Sequence, residues 1–343
     1  MFSQKPENYK LDLENMKLTP TQKKVLYWTI LNARAPISRI ARDLSLKEHA
    51  VRYALQILMD REVITPFTLI NIHSLGFTDY CLFLSRSYAP KSAHEGILRR
   101  LCSTNGVAWV ATVGGEYQYT VSYLARDVYE LEEFITDLSV ATQTSLFEKS
   151  IATRLSWTLF RPNYLASGKR SLEKLVRTKI GSPVVIDDLD RNILRILSTK
   201  PLSSVQDIGR KVNTPHSTVD FRIKRMEKSG VIQGYVFNVN AARLGMQAYR
   251  LLVYERHSNP LLKTNLAMFC EKHTDVSAFI HCFGDWNYEI NLEVEDPRQV
   301  SVVSDQIYAN FGADIKVIKA LSVLETQRVD QYPFQKSGTT NTF

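Results

Sequence analysis

The side chains best suited to chemistry concentrate in one stretch, "TPHSTVDFRIKRMEKSGVIQGY", residues 214–235. At about 100° per residue, Val219, Ile223 and Met226 form one apolar stripe. Ser217, Thr218, Phe221, Lys224 and Arg225 fall opposite, with Arg222 at the edge. Short hydroxyls in a first helical turn can approach phosphates and base edges. A helix N-terminus favours an anion, and arginine can bridge guanine acceptors or clamp the backbone. Phe221, an aromatic turned outward, can touch a thymine methyl or pack on the wing. The chemistry expected of this helix is recognition of double-stranded DNA, with Arg210 on the preceding helix assisting.

Catalytic patterns are missing by contrast. His49, His73, His94, His216, His257, His273 and His281 form no HxxxH or HExxH spacing, and no GxSxG, P-loop or GxGxxG stands out. Cys81, Cys102, Cys270 and Cys282 lack CxxC spacing and read as packed, reduced thiols of a cytoplasmic protein. No catalytic residue, metal site or cofactor is expected. The longest apolar runs, such as Val107 to Val113, fall far short of the ~20 residues that span a bilayer. No secretory signal is visible at the N-terminus. The composition is that of a globular protein, 44% hydrophobic and 23% charged. A formal charge of +8 over 343 residues suits a polyanionic partner.

The recognition stretch is placed by elements that occur twice. Shifted by 168 positions, "TQKKVLYWTILNARAPISRIARDLSLKEHAVRYALQILMDREVI" lies without a gap over "LDRNILRILSTKPLSSVQDIGRKVNTPHSTVDFRIKRMEKSGVI". Val51, Leu55 and Leu58 then fall on Val219, Ile223 and Met226. Each copy opens with three short helices and a strand, a winged helix-turn-helix. Asp187 and Asp188 open the first helix of the second copy, and Ser203 or Ser204 the second helix. Thr214 is expected as the N-cap of the third, with Pro215 at its first position and Gly230 closing it. In the first copy Lys47 and Arg52 remain basic, but Ala54, Gln56 and Ile57 stand where Arg222, Lys224 and Arg225 do, and Asp43 and Glu48 add negative charge. That module is expected to bind DNA weakly or to serve as a protein contact.

The remainder of each copy reads strand, helix, strand, strand, helix, strand, a ferredoxin-like βαββαβ unit. The fold class is therefore α+β, with two winged helix-turn-helix domains and two βαββαβ domains in tandem. The boundaries are 18–66, a degenerate helix-turn-helix, and 67–160, a ferredoxin-like dimerisation domain. A basic linker, 161–185, with some helical character, joins these to 186–235, the DNA-reading module, and 236–326, the second ferredoxin-like domain. A tail, 327–343, ends the chain. A four-stranded sheet with helices on one face needs a partner for the other, so self-association is expected.

"DDLDRNILRIL", "TPHSTVDFRIKRMEKSGVIQGYVFNVNAARLG" and "FGDWNYEINLEV" resemble the Lrp/AsnC (feast/famine) family of transcription regulators. The resemblance runs twice along the chain, from about Leu18 to Trp157 and from Ile186 to Glu325. It implies two fused subunits whose sensing (RAM-type) domains form an internal pseudodimer, with two such chains assembling further. It also implies a small effector, an amino acid or other molecule, near the glycine turns: Gly115, Glu116, Tyr117 and Gln118, and Gly284, Asp285, Trp286 and Asn287. The family usually has an aspartate where this chain has Gln118 and Asn287, and an amide brings no charge to an ammonium group. Alternatively these residues make only a tight turn and an oligomer contact. Two other readings share the fold. One is a tetrapyrrole enzyme resembling siroheme decarboxylases, for which His281 and Tyr288 are present but the Arg-Glu-His order is not. The other is a ligand- or protein-binding module without DNA contact.

Overall fold

The computed structural model describes residues 16–86, 91–142, 146–166, 173–178 and 181–334. The first module is α1 (Pro20–Thr29), α2 (Ile37–Leu44), α3 (Glu48–Asp60) and strand β1 (Ile64–Ile70). Its first helix starts where the sequence supplies a stop and a start together. Thr19 and Gln22 close a reciprocal capping box, with Pro20 at the first helical position. The first βαββαβ unit follows as β2 (Thr78–Arg86), α4 (Lys91–Ser103), β3 (Val107–Gly114), β4 (Tyr119–Ala125), α5 (Val128–Ala141) and β5 (Leu146–Phe160).

A short strand, β6 (Lys174–Thr178), precedes the second copy. That copy comprises α6 (Asp188–Thr199), α7 (Val205–Val212), α8 (His216–Lys228), β7 (Ile232–Val239), β8 (Gln247–Glu255), α9 (Pro260–Lys272), β9 (Val276–Gly284), β10 (Tyr288–Val294), α10 (Arg298–Phe311) and β11 (Ile315–Val329). None of the described helices is long and apolar enough to cross a membrane.

Strand alternation explains how the sheets pack. Leu82 and Leu84 point to α4 and α5, while Cys81 and Phe83 point the other way, as period-2 geometry requires. In the second copy Leu251 and Val253 face α9 and α10, and Leu252 faces inward. The two inward faces meet each other around Phe83, Tyr117, Leu252, Trp286 and Leu321. The partner that each sheet needs is thus supplied by the same chain. The sheets also join at both edges. β3 pairs with β11 from Gly114↔Ser322 to Trp109↔Val329, and β5 pairs with β9 from Ala152↔Gly284 to Leu159↔Ala278. Because β5 also pairs with β2, the strands close on themselves, with β6 added beside β5.

The helix-turn-helix modules are joined in the same crossed manner. β1 and β7 pair antiparallel, from Ile64↔Val239 to Ile70↔Ile232. Val236 and Phe237 of the second copy lie in the core of the first module, and Ile70, Ile72 and Phe77 of the first copy lie in the core of the second.

Residues 161–185 depart from the expected connector. Lys169, Arg170 and Lys179 lie outside the described residues, but 174–178 form a strand instead of a helix. Arg161 and Arg177, two of the basic residues of this connector, are buried. Leu159↔Leu175 pairing and an ion pair to Asp79 draw this segment into the sheet, an attraction between elements that local composition does not reveal. At the other end, Tyr332 and Phe334 of the tail pack with Phe77 against the second module.

Candidate nucleic-acid interface

Helix α7 begins at Ser204, whose hydroxyl accepts from the Asp207 N–H, and ends at Asn213 in the left-handed region, φ 50°. Asparagine tolerates that conformation, and it produces the turn into α8. Gly209 keeps α7 close to this turn, since a Cβ there would lie 2.7 Å from the Thr214 carbonyl. The N-cap of α8 differs from the expected Thr214. The Thr214 hydroxyl donates back to the Val212 carbonyl at 3.1 Å, and Pro215 takes the cap position without a side-chain acceptor. The first N–H groups of α8 therefore lack the usual side-chain cap. They open beside a depression of about 480 Å³ bordered by Gln206, Arg210, Asn213 and His216.

Val219, Ile223 and Met226 are buried as expected. Ser217, Phe221 and Lys224 are exposed, Phe221 at 63%, and Thr218 is half-buried. Lys228 joins this exposed face. The sequence reading stopped at Arg225, although Lys228 lies one turn beyond Lys224 on the same side. Lys224 is held by Asp220 at 2.7 Å, and Arg210 pairs with Asp207.

Arg222 is half-buried, and Arg225, though exposed, is also engaged with acids of α6. Arg222 donates to Asp187 and lies 3.4 Å from Asp190, and Arg225 donates to Asp190, a fully buried carboxylate. Both arginines clamp the first turn of α6, where Asp187 and Asp190 form a capping box. The Asp190 backbone N–H, ahead of the Arg222 guanidinium, holds the Asp187 carboxyl below its ordinary range. Replacing Asp187 with alanine is expected to cost about 1 kcal/mol of stability, as other N-cap deletions do. A carboxyl lowered on folding stabilises above its unfolded pKa and loses that contribution as pH falls through the folded value. The difference between wild type and Asp187→Ala in urea melts should therefore shrink below about pH 4. A difference independent of pH would contradict this role.

In the first module Lys47 stands at the N-cap of α3 and Arg52 is exposed. Ala54 is buried and Ile57 half-buried. Tyr53, which the sequence reading passed over, is 69% exposed.

The residues anticipated at an effector site lie at the joint between the copies. Tyr117 and Trp286 are buried and pack on Phe83, with ring centroids 5.5 and 5.2 Å away. Asp285 accepts from the Ser150 hydroxyl and the Ile151 N–H, both at 2.8 Å. Asn287 accepts from the Glu255 N–H, Gln118 accepts from the Arg86 N–H, and Glu116 pairs with Lys319 across the joint. Gly115 and Gly284 both have positive φ in these turns. Each of the amides Gln118 and Asn287 thus serves as a neutral acceptor for a backbone N–H.

Beneath this layer lies a charged cluster that sequence reasoning missed. Arg154 donates to both Glu289 carboxyl oxygens at 3.0 and 2.8 Å, and Arg250 lies 3.1 Å from the same group. Arg177 donates to Asp79 at 2.7 Å. All five residues are buried. Arg250 shares the inward strand face with Leu252, so the alternation pattern carried a signal for it. Burial alone would raise the Glu289 pKa, but Arg154, with Arg250, holds it down to about 2. The histidines are also brought to tyrosines. His281 stacks on Tyr288, and His94 reaches Tyr119 from α4, a pairing that no local motif contains.

A family model described as winged helix-turn-helix DNA-binding matches residues 186–233. The second module is a winged helix-turn-helix DNA-binding domain. An uncharacterised HTH-type transcriptional regulator of Pyrococcus furiosus is 32% identical over 26% of this chain and 60% of its own length. Another, from Pyrococcus horikoshii, is 22% identical over 42% of this chain and 98% of its own length. The chain thus spans less than two thirds of the first relative. Among solved structures, the siroheme decarboxylase NirDL superposes with a TM-score of 0.61 at 10% identity, covering 91% of this chain and 93% of that one. That likeness concerns the fold, and it shows that the tandem arrangement occurs as one continuous architecture. The chain has this tandem fold of helix-turn-helix and βαββαβ units.

Proposed function

We infer that the protein is a sequence-specific regulator of transcription that works in the cytoplasm by binding double-stranded DNA and not by catalysis. The observation that carries this reading is the exposed face of Ser217, Phe221, Lys224 and Lys228 beside an N-terminus without a side-chain cap. That face belongs to the helix that a winged helix-turn-helix inserts into the major groove. Arg210 stands beside it for a phosphate, and Arg222 and Arg225 fix the helix on α6.

The two sensing units act as an internal pseudodimer that holds the two helix-turn-helix modules at one spacing. Further self-association would join such chains through other surfaces. A small effector would act by shifting the glycine turns at the joint, because Glu116, Asp285 and Asn287 already bridge strands there.

The test is a pair of variants on a duplex bound by the intact protein. Lys224→Ala should weaken binding to all sequences alike and reduce the salt slope by about 1. Phe221→Ala should alter the preference among sequences. Binding by both variants that matches wild type in affinity, preference and salt slope would overturn the assignment of α8.

A further inference from the structure

The first module reads as degenerate partly because its third helix lacks two arginines, with Gln56 in place of Lys224 and with Asp43 and Glu48 adding negative charge. The structure changes what that lack means. Arg222 and Arg225 are bound to Asp187 and Asp190, and the positions matching these acids in the first copy are Thr19 and Gln22. Those two form the same reciprocal capping box without charge, and the positions matching the arginines are apolar Ala54 and Ile57. Both sides of the clamp therefore differ together between the copies. The absence of Arg222 changes how the helix is held more than what it displays, whereas Arg225, 44% exposed, is also lost from the surface.

What the first helix displays corresponds to the second in its turn, its buried stripe and its exposed aromatic, while exposed Gln56 and Asp60 stand where Lys224 and Lys228 do. Ser45, φ 54°, matches Asn213, φ 50°, so the left-handed turn that sets one helix against the other is the same. Val51, Leu55 and Leu58 are buried in the places of Val219, Ile223 and Met226. Tyr53 stands where Phe221 does, and the two are 69% and 63% exposed. Arg52 and His49 are exposed beside Tyr53. On the preceding helix, Arg42 faces solvent next to Asp43, as Arg210 does next to Asp207. The β1–β7 pairing fixes the modules together.

We propose that the first helix-turn-helix is a second DNA-reading module, and that one chain recognises an asymmetric site made of two unlike halves. Tyr53, Arg52 and His49 would read one half; Phe221, Lys224 and Ser217 would read the other. A tyrosine offers a hydroxyl that phenylalanine lacks, and Arg52 a guanidinium where α8 has Asp220, so the halves must differ in sequence. The proposal rests on the reading that α8 docks on duplex DNA.

The experiment is selection of bound duplexes from a random-sequence pool by the intact chain, by Tyr53→Ala/Arg52→Ala, and by Phe221→Ala/Lys224→Ala. All four positions are exposed, so the variants should fold, and far-UV circular dichroism checks this. The expected wild-type motif has two unlike blocks. The first variant should lose one block and keep the other, and the second variant the reverse. A motif that Tyr53→Ala/Arg52→Ala leaves unchanged, while Phe221→Ala/Lys224→Ala erases it, would overturn this proposal and leave α8 as the only reader. Failure of the wild-type chain to enrich any sequence would overturn both readings.

Discussion

Replacing Glu289 with glutamine is expected to remove about 3–5 kcal/mol of stability, the usual consequence of breaking a buried ion pair from one side. The substitution preserves shape but leaves the Arg154 and Arg250 guanidiniums between the sheets without their carboxylate. Arginine does not release its proton at accessible pH, so the charge cannot be relieved by titration. Asp79 is already engaged by Arg177 and Ser122 and lies 3.9 Å from Arg154. Urea unfolding followed by tryptophan fluorescence reads the loss, since Trp109 stacks under Arg250 and Trp286 donates to Glu289. The pH dependence gives a second signature. The Glu289 carboxyl sits at about 2 when folded, against 4.5 for the free group. Its contribution is complete above the free value and is lost as pH falls from 4.5 toward 2. Glu289→Gln should lack that acid-induced loss. Wild-type stability in the variant would show that the cluster does not hold the sheets together.

Gly284→Val should open the joint between the copies. Its φ of 148° is one that side-chain-bearing residues rarely adopt, and a Cβ there would sit 2.5 Å from the Ile151 carbonyl oxygen and 2.7 Å from the Ala152 Cα. Those atoms are backbone of β5, which is held on its other edge by β2. The clash cannot be relieved by turning a side chain. Backbone strain of this kind costs about 1–3 kcal/mol, and displacement of the β5–β9 edge adds to it. Gly115, the counterpart in the first copy, meets a Leu321 methyl at 3.2 Å, and Gly181 meets nothing within 4 Å. Thermal melts should therefore rank Gly284→Val as far more damaging than the same change at Gly181. Equal losses at both positions would contradict the assigned role of the turn.

Much of this architecture was legible because it rests on local periodicity. The gapless repeat sets Ser45 over Asn213, which do occupy equivalent left-handed turns, and the strand-helix order of each copy is that of the two sheets. What escaped sequence reasoning lies between distant elements. A helical wheel ranks residues by angle and cannot register Asp187, 35 residues before Arg222. The same blindness hid the β3–β11 and β5–β9 edges and the strand that draws 174–178 of the basic linker into the sheet. Thr214 and Pro215 were exchanged at the cap because both suit a helix start, and the choice depends on the left-handed Asn213 before them.

The central claim is that α8 docks on duplex DNA through its exposed face. The most direct measurement is fluorescence anisotropy of the intact protein and of Lys224→Ala with DNA from upstream of its own coding region and a scrambled duplex, across a salt series. The account predicts preference for the native fragment. It also predicts affinity that falls steeply as salt rises, and a slope smaller by about 1 in the variant. No binding to either duplex at low salt would contradict it.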